Sequence, residues 1–242
     1  MRTRTFGQHL VQLTRFPTLF PMNSYFVRED DGLTLIDTTI ASSAPAIVAA
    51  AQSLGQPIRR IVLTHAHGDH IGAVDALHAL LPDAEVLISA RDARFLRGDM
   101  TLDADEPQDK LRGGYQTINT QPNTLLHDGD RVGSLLVVAS PGHTPGHIAL
   151  FDERDGSLIA GDAFQTRGGL AVSGTIRPFF PFPAMATWHR ASALESARRL
   201  RALQPTRVAV GHGEVLEQPL AHLDKVIAKA AAEIEELQHH GA

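Results

Sequence analysis

An α/β architecture is the fold class that the sequence predicts, and three observations lead to it. Apolar runs of strand length are punctuated by hairpin signals, helical segments are interspersed among them in both halves, and no linker rich in proline, glycine or serine separates the halves. One domain spanning 1–242 is therefore expected. Val11 to Leu13, Tyr25 to Val27 and Leu33 to Ile36 are short apolar runs, and Asp31 with Gly32 marks a tight hairpin between the last two. The chain thus opens as antiparallel strands. Ala44 to Leu54 reads as a helix capped by Ser42 or Ser43, Pro57 breaks it, and Ile61 to Leu63 forms a buried strand. A second helix, roughly Ile71 to Leu81, stops at Pro82. Val86 to Ile88 is the next strand, a short helix follows near Ala90 to Leu96, and Gly98 to Asn123 is polar and without periodicity, as in a surface loop. Leu135 to Ala139, Ile148 to Phe151 and Leu158 to Ala160 are strands, the last two joined through Asp155 and Gly156. A helix from Thr187 to Leu203, a strand from Val208 to Val210 and a final helix from about Leu220 to Gln238 complete the order.

Composition removes several chemistries before any motif is read. With no cysteine there is no disulfide framework, no thiolate ligand and no cysteine nucleophile. A net charge of −5 is unsuited to holding a polyanion by bulk electrostatics, so nucleic acid is not an expected partner. No apolar run approaches the roughly 18 residues of a membrane span, and the first residues lack the apolar stretch of a secretory signal. A cytoplasmic protein acting on a small-molecule substrate, away from membranes, is the expectation. The 13 histidines stand out, and their positions carry the chemistry.

Thr64 to His70 holds four candidate metal ligands, His65, His67, Asp69 and His70, directly after the strand Ile61 to Leu63. Alternate residues of an extended segment point the same way, so His65 and His67 can share one ion. Asp69 and His70, where the chain turns into a helix, can face a neighbouring one. Other strand ends each deliver one polar residue on a glycine-containing turn: His143 after Leu135 to Ala139, Asp162 after Leu158 to Gly161, and His212 between Gly211 and Gly213. Asp37 follows Leu33 to Ile36 in the same manner. Neighbouring strand ends gather at one sheet edge, where α/β proteins place their sites. Imidazole and carboxylate suit zinc first, with iron or manganese as alternatives, and seven ligands suffice for two divalent ions.

These residues resemble the metallo-β-lactamase superfamily of metal-dependent hydrolases. The HxHxDH motif lies at His65 to His70, the histidine of the PGHT motif at His143, the bridging aspartate at Asp162 and the last histidine at His212. The resemblance implies a four-layer αββα sandwich. It places His65, His67 and His143 on one metal, Asp69, His70 and His212 on the other, and Asp162 between them. Asp37 would orient ligand histidines, and His147 is a candidate for the same task. The reaction expected is hydrolysis of an ester, lactone, thioester or amide by a hydroxide shared between two ions, with Asp69 relaying the proton.

Departures from subfamily patterns narrow the substrate. The absence of cysteine and the bridging Asp162 are unlike β-lactamases. Glyoxalase-type thioesterases carry a C-terminal helical segment, whereas 30 residues follow His212 here. Quorum-quenching lactonases place a tyrosine three residues after the bridging aspartate, where this chain has Gln165. Phe179, Phe180 and Phe182, interleaved with prolines, are expected to join Phe20 and Met22 in an apolar wall above the metals that selects an acyl or aromatic group. Two other readings stay open: a mononuclear iron sulfur dioxygenase using His65, His67 and His143, and a nuclease using Arg190, Arg198, Arg199, Arg201 and Arg207. In the last helix, Leu220, Leu223, Ile227, Ala230, Ile234 and Leu237 recur at spacings of three and four. That seam serves either a second copy of the chain, leaving homo-oligomerisation open, or the helix's own sheet.

Overall fold

A computed structural model describes residues 1–240. Seven strands form the first sheet in chain order: β1 (Arg2–Phe6), β2 (Leu10–Arg15), β3 (Met22–Glu29), β4 (Gly32–Ile36), β5 (Ile58–Leu63), β6 (Glu85–Ser89) and β7 (Thr124–Leu126). β1 to β4 are antiparallel, and β4 to β7 run parallel to one another. The parallel neighbours need crossovers, supplied by α1 (Ala44–Ser53) and by α2 (Gly68–Ile71) with α3 (Val74–Leu80). A second sheet has the order β15-β14-β11-β10-β9-β8, built from β8 (Arg131–Val132), β9 (Leu135–Ala139), β10 (Ile148–Asp152), β11 (Ser157–Ile159), β14 (Arg207–Ala209) and β15 (Leu216–Glu217). Between β11 and β14 come the small pair β12 (Phe164–Gln165) and β13 (Ala171–Val172), then α4 (Phe182–Met185) and α5 (Arg190–Ala202). The helix α6 (Leu220–His240) follows, and among the described residues no helix is long and apolar enough to cross a membrane.

Period-two side-chain alternation builds the layers. Ile61 and Leu63 face an outer core with Ile47, Val74 and Leu77 of α1 and α3, while Val62 between them faces Leu135, Val137 and Leu150 of the second sheet. On that sheet Val137 looks inward and Val138 outward, toward Leu194 and Leu200 of α5 and Leu223 of α6. Three apolar cores thus separate helices, sheet, sheet and helices: the αββα sandwich. Leu223, Val226, Ile227, Ala230 and Ile234 pack on the third core, so the middle of the α6 seam docks on its own sheet, while Leu237 is exposed.

Several local expectations are corrected. The hydroxyls of Ser42 and Ser43 do not cap α1. Ser43 is already helical in backbone and its Oγ accepts from Thr39 Oγ1, at 2.7 Å. The helix expected over 71–81 is two helices, because Thr38 ties the chain between them: its N–H donates to the His70 carbonyl at 2.6 Å, and its Oγ1 accepts from Ala73 N–H at 3.2 Å. The turn near 90–96 is 3-10 over Asp92–Arg97, ended by Gly98 in the left-handed region. The helix expected from Thr187 begins at Arg190, with the His189 ring accepting from Ser192 N–H as its cap.

Candidate active site

The turns that follow β4, β5, β9, β11 and β14 meet at one edge of the two sheets and carry Asp37, the segment His65 to His70, His143, Asp162 and His212. Ligand atoms fall into three sets, each lying within 4.8 Å: His65, His67 and His143; His65, His70 and Asp162; and Asp69, His70 and His212. His65 belongs to the first two sets and His70 to the last two. The three sets therefore form one continuous centre. All of these side chains are buried except Asp69, which is 32% exposed and marks the open side.

Each imidazole has one nitrogen engaged away from the centre, and that contact orients the ring. Asp37 accepts from Thr64 N–H at 2.8 Å and from Thr64 Oγ1 at 2.8 Å, and its Oδ2 lies 2.7 Å from His70 Nδ1. Thr64 Oγ1, having donated to Asp37, accepts from His65 Nδ1 at 3.0 Å. One carboxylate thus turns the Nε2 atoms of both His65 and His70 toward the centre. His212 Nδ1 donates to the Pro21 carbonyl at 2.8 Å, and His143 Nδ1 meets Ser173 Oγ at 3.0 Å. His67 is reversed: its Nε2 donates to the Arg112 carbonyl at 3.0 Å, leaving Nδ1 to face His143 Nε2 at 3.0 Å. Such contacts set the tautomer and raise ligand basicity. His147 spans Ser140 Oγ, 2.8 Å from Nδ1, and the Asp162 N–H, which donates to Nε2 at 3.1 Å. It places the Asp162 backbone rather than touching the centre's open side.

Backbone strain accompanies this arrangement. Asp37 has φ of 56° and Thr39 φ of 55°, left-handed values that a β-branched residue rarely adopts. Gly211 is required for a different reason: a Cβ there would overlap Asp162 Oδ1 and crowd His70 Cε1.

The donor set fits metal ions. His65 Nε2, His70 Nε2 and Asp162 Oδ1 are buried without a hydrogen-bond partner, a condition that costs about 1–3 kcal/mol for each group unless something satisfies it. Burial, reinforced by the neighbouring His70, holds His65 well below its ordinary pKa. Burial likewise lowers His67 to about 4 and carries His143 well below its usual range. These three are accordingly neutral, the form that ligates. Burial also acts on His70 and His212, but the carboxylates of Asp162, Asp37 and Asp69 outweigh it. They raise His70 well above its ordinary range and His212 to about 10. A field that favours an extra positive charge at that place favours a dication there.

A polar loop, residues 98–123, and an aromatic group border the centre. The loop brings Tyr115 to His67 with ring centroids 4.6 Å apart, and the two residues form an isolated β-bridge. The loop's polar, aperiodic composition predicts a surface position and gives no sign of this contact. Its Arg112 contact uses a main-chain carbonyl, which leaves no side-chain signature. Ser173 and Thr187, partners of His143, were missed for want of a motif. Phe20 stacks with Phe180 at 5.0 Å and Phe182 at 5.2 Å, and both Phe20 and Phe180 lie against the His212 ring, at 5.2 and 5.6 Å. Phe179 is corrected: at 92% exposed it points away from this group, because it sits at the tip of a turn closed by the Phe180 N–H donating to the Arg177 carbonyl at 2.9 Å. Met22 is buried at the start of β3. Gln165 is buried too, and its Nε2 donates to the Arg167 and Phe180 carbonyls at 2.8 and 3.0 Å, anchoring the aromatic segment from beneath. The arginines singled out for a nuclease are largely neutralised: Arg198 pairs with Glu195, Arg199 with Asp128, Arg201 with Asp224, and Arg207 with Asp155 and Glu217.

Comparison with known proteins agrees with the fold. Residues 17–212 match the family described as the metallo-β-lactamase superfamily. Uncharacterized protein YobT of Bacillus subtilis is 49% identical over 92% of this chain and 96% of its own. A hydroxyacylglutathione hydrolase of Erwinia tasmaniensis is 30% identical over 70% of this chain, and the match spans 58% of that enzyme. Among solved structures, TTHA1623 in a di-iron-bound form is similar with a TM-score of 0.64 and 29% identity, covering 86% of this chain and 95% of that one.

Proposed function

Because the chain belongs to the metallo-β-lactamase superfamily, we propose that it is a dinuclear metal-dependent hydrolase of a small ester, lactone or thioester. The observation that carries this reading is the overlap of the three candidate ligand sets through His65 and His70, which supports two adjacent positions rather than one. His65, His67 and His143 would hold one ion, Asp69, His70 and His212 the other, and Asp162 would lie between them. Zinc suits these donors, and the di-iron form of a 29% identical structure makes iron the alternative. When bound, such a pair supplies a hydroxide nucleophile at neutral pH and polarises a carbonyl oxygen.

The chain's own residues do the remainder. Asp69 stands at the open side with Oδ2 3.4 Å from His212 Nε2. Burial tends to raise its pKa, but the His212 contact and the neighbouring imidazoles hold it below the ordinary carboxylate range. It is therefore ionised and placed to carry a proton toward the leaving group. The related hydroxyacylglutathione hydrolase favours a thioester or a similarly activated ester as the scissile group.

Metal analysis of the purified protein, combined with a screen over lactones, thioesters, aryl esters and phosphodiesters, tests the proposal. Two ions per chain and turnover of a carbonyl substrate are expected. One iron per chain with oxygen consumption, or turnover confined to phosphodiesters, would overturn it.

The aromatic group sets the choice of acyl chain in this reading. Phe182 is half exposed and available to substrate, whereas Phe180 is buried beneath it. Phe182→Ala removes apolar contact worth about 1–2 kcal/mol, so KM for long acyl or aromatic substrates should rise about 5- to 30-fold, with short acetyl substrates unchanged. Phe180→Ala should in addition lower stability by about 3–5 kcal/mol through the cavity it leaves. Steady-state kinetics across acyl lengths checks the first effect. Equal changes for short and long substrates would refute it.

A further inference from the structure

Asp92 follows β6, is fully buried, and takes no part in the chemistry above. Three donors converge on its carboxylate. The Ala66 N–H and the Thr144 hydroxyl donate to Oδ2 at 3.0 and 2.7 Å, and the Gly146 N–H donates to Oδ1 at 2.7 Å. Ala66 separates His65 from His67, while Thr144 directly follows His143. Resting on the metal-site reading above, we propose that Asp92 is a positioning residue whose carboxylate sets the gap between the His65–His67 turn and the His143 turn, and so the shape of the three-histidine site.

The reason lies in where the sheets end. The Ile148 N–H donates to the Thr64 carbonyl at 2.9 Å, a main-chain link between the two sheets beside the candidate ligand turns. Beyond it the N–H groups of Ala66 and Gly146 find one common acceptor, and an ionised acceptor bonds about twice as strongly as a neutral one. Position 146 is shaped for this contact, since a Cβ there would overlap both the Asp92 main chain and its Oδ1. Ser89 Oγ accepts from the Asp92 N–H at 3.1 Å and fixes the carboxylate's own base on β6.

Asp92→Asn keeps the shape but accepts through one atom only, so either Gly146 or the Ala66 and Thr144 pair meets an amide donor. Zinc titrated into metal-free full-length protein against a chromophoric chelator should bind about 10- to 100-fold more weakly at one of the two positions, with the fold intact by circular dichroism. Asp152→Asn is the control. That carboxylate is equally buried but holds Arg154 at the remote end of β10, so its loss should lower Tm without changing zinc affinity. Should Asp92→Asn fail to fold, Thr144→Val decides, because it removes one of the three donors and leaves the carboxylate; a several-fold weakening is expected. Parent-like zinc affinity in Asp92→Asn, or in Thr144→Val if that variant carries the test, overturns this proposal alone. Parent protein that takes up no zinc, iron or manganese overturns the proposed function itself, and this inference with it.

Discussion

Asp162→Ala is expected to lower metal content from two ions per chain to one or none and to abolish turnover. Its carboxylate is buried, Oδ1 lies 3.5 Å from His70 Nε2, and Oδ2 lies 3.3 Å from both His143 Nε2 and His212 Nε2. It thus contacts imidazoles of both proposed metal positions. Two adjacent dications repel each other, and a carboxylate between them offsets that repulsion. Without it the loss should exceed the roughly 10- to 100-fold effect of removing a partner that only orients a ligand. Plasma emission analysis of desalted variant and parent reads the stoichiometry directly. Two ions retained in the variant would remove Asp162 from the position between them.

The second large effect is expected at Asp69. Asp69→Asn preserves shape and one ligating oxygen but removes charge and basicity, so kcat should fall by about 10²- to 10⁴-fold, the range of general acid–base catalysis. Metal content should fall less than in Asp162→Ala, because His70 and His212 remain to hold that position. Measuring kcat and metal content on the same preparation separates the two contributions. Parent-like turnover with two bound ions would show that Asp69 neither ligates by its charge nor moves a proton.

How much of this was legible beforehand depends on the range over which each feature is encoded. The candidate ligands could be read from the sequence because each sits two to seven residues beyond an apolar run, and strand ends on one sheet edge must come together. The layered architecture was likewise written in alternation, as Ile61, Val62 and Leu63 facing opposite cores illustrate. Strands such as β1 and β7 were not legible, since RTRTF and TLL carry no sustained apolar pattern and are specified by their neighbours.

Tertiary structure alone decided how those ligands are held. The Arg112 carbonyl that reverses His67 belongs to a loop 45 residues away, and Thr144 reaches Asp92 across 52 residues. Such contacts use main-chain atoms or common polar side chains, which leave no periodicity and no motif. Phe179 and Phe182 look equivalent in sequence, yet one is nearly fully exposed and the other joins Phe20 beside His212. Residue type and local spacing therefore determined which side chains gather as candidate ligands, because donor type belongs to the side chain and strand ends share one sheet edge. The orientation of each ring, the spacing of the turns and the shape of the approach were set by long-range hydrogen bonds and packing, which exist only once both sheets have closed on each other.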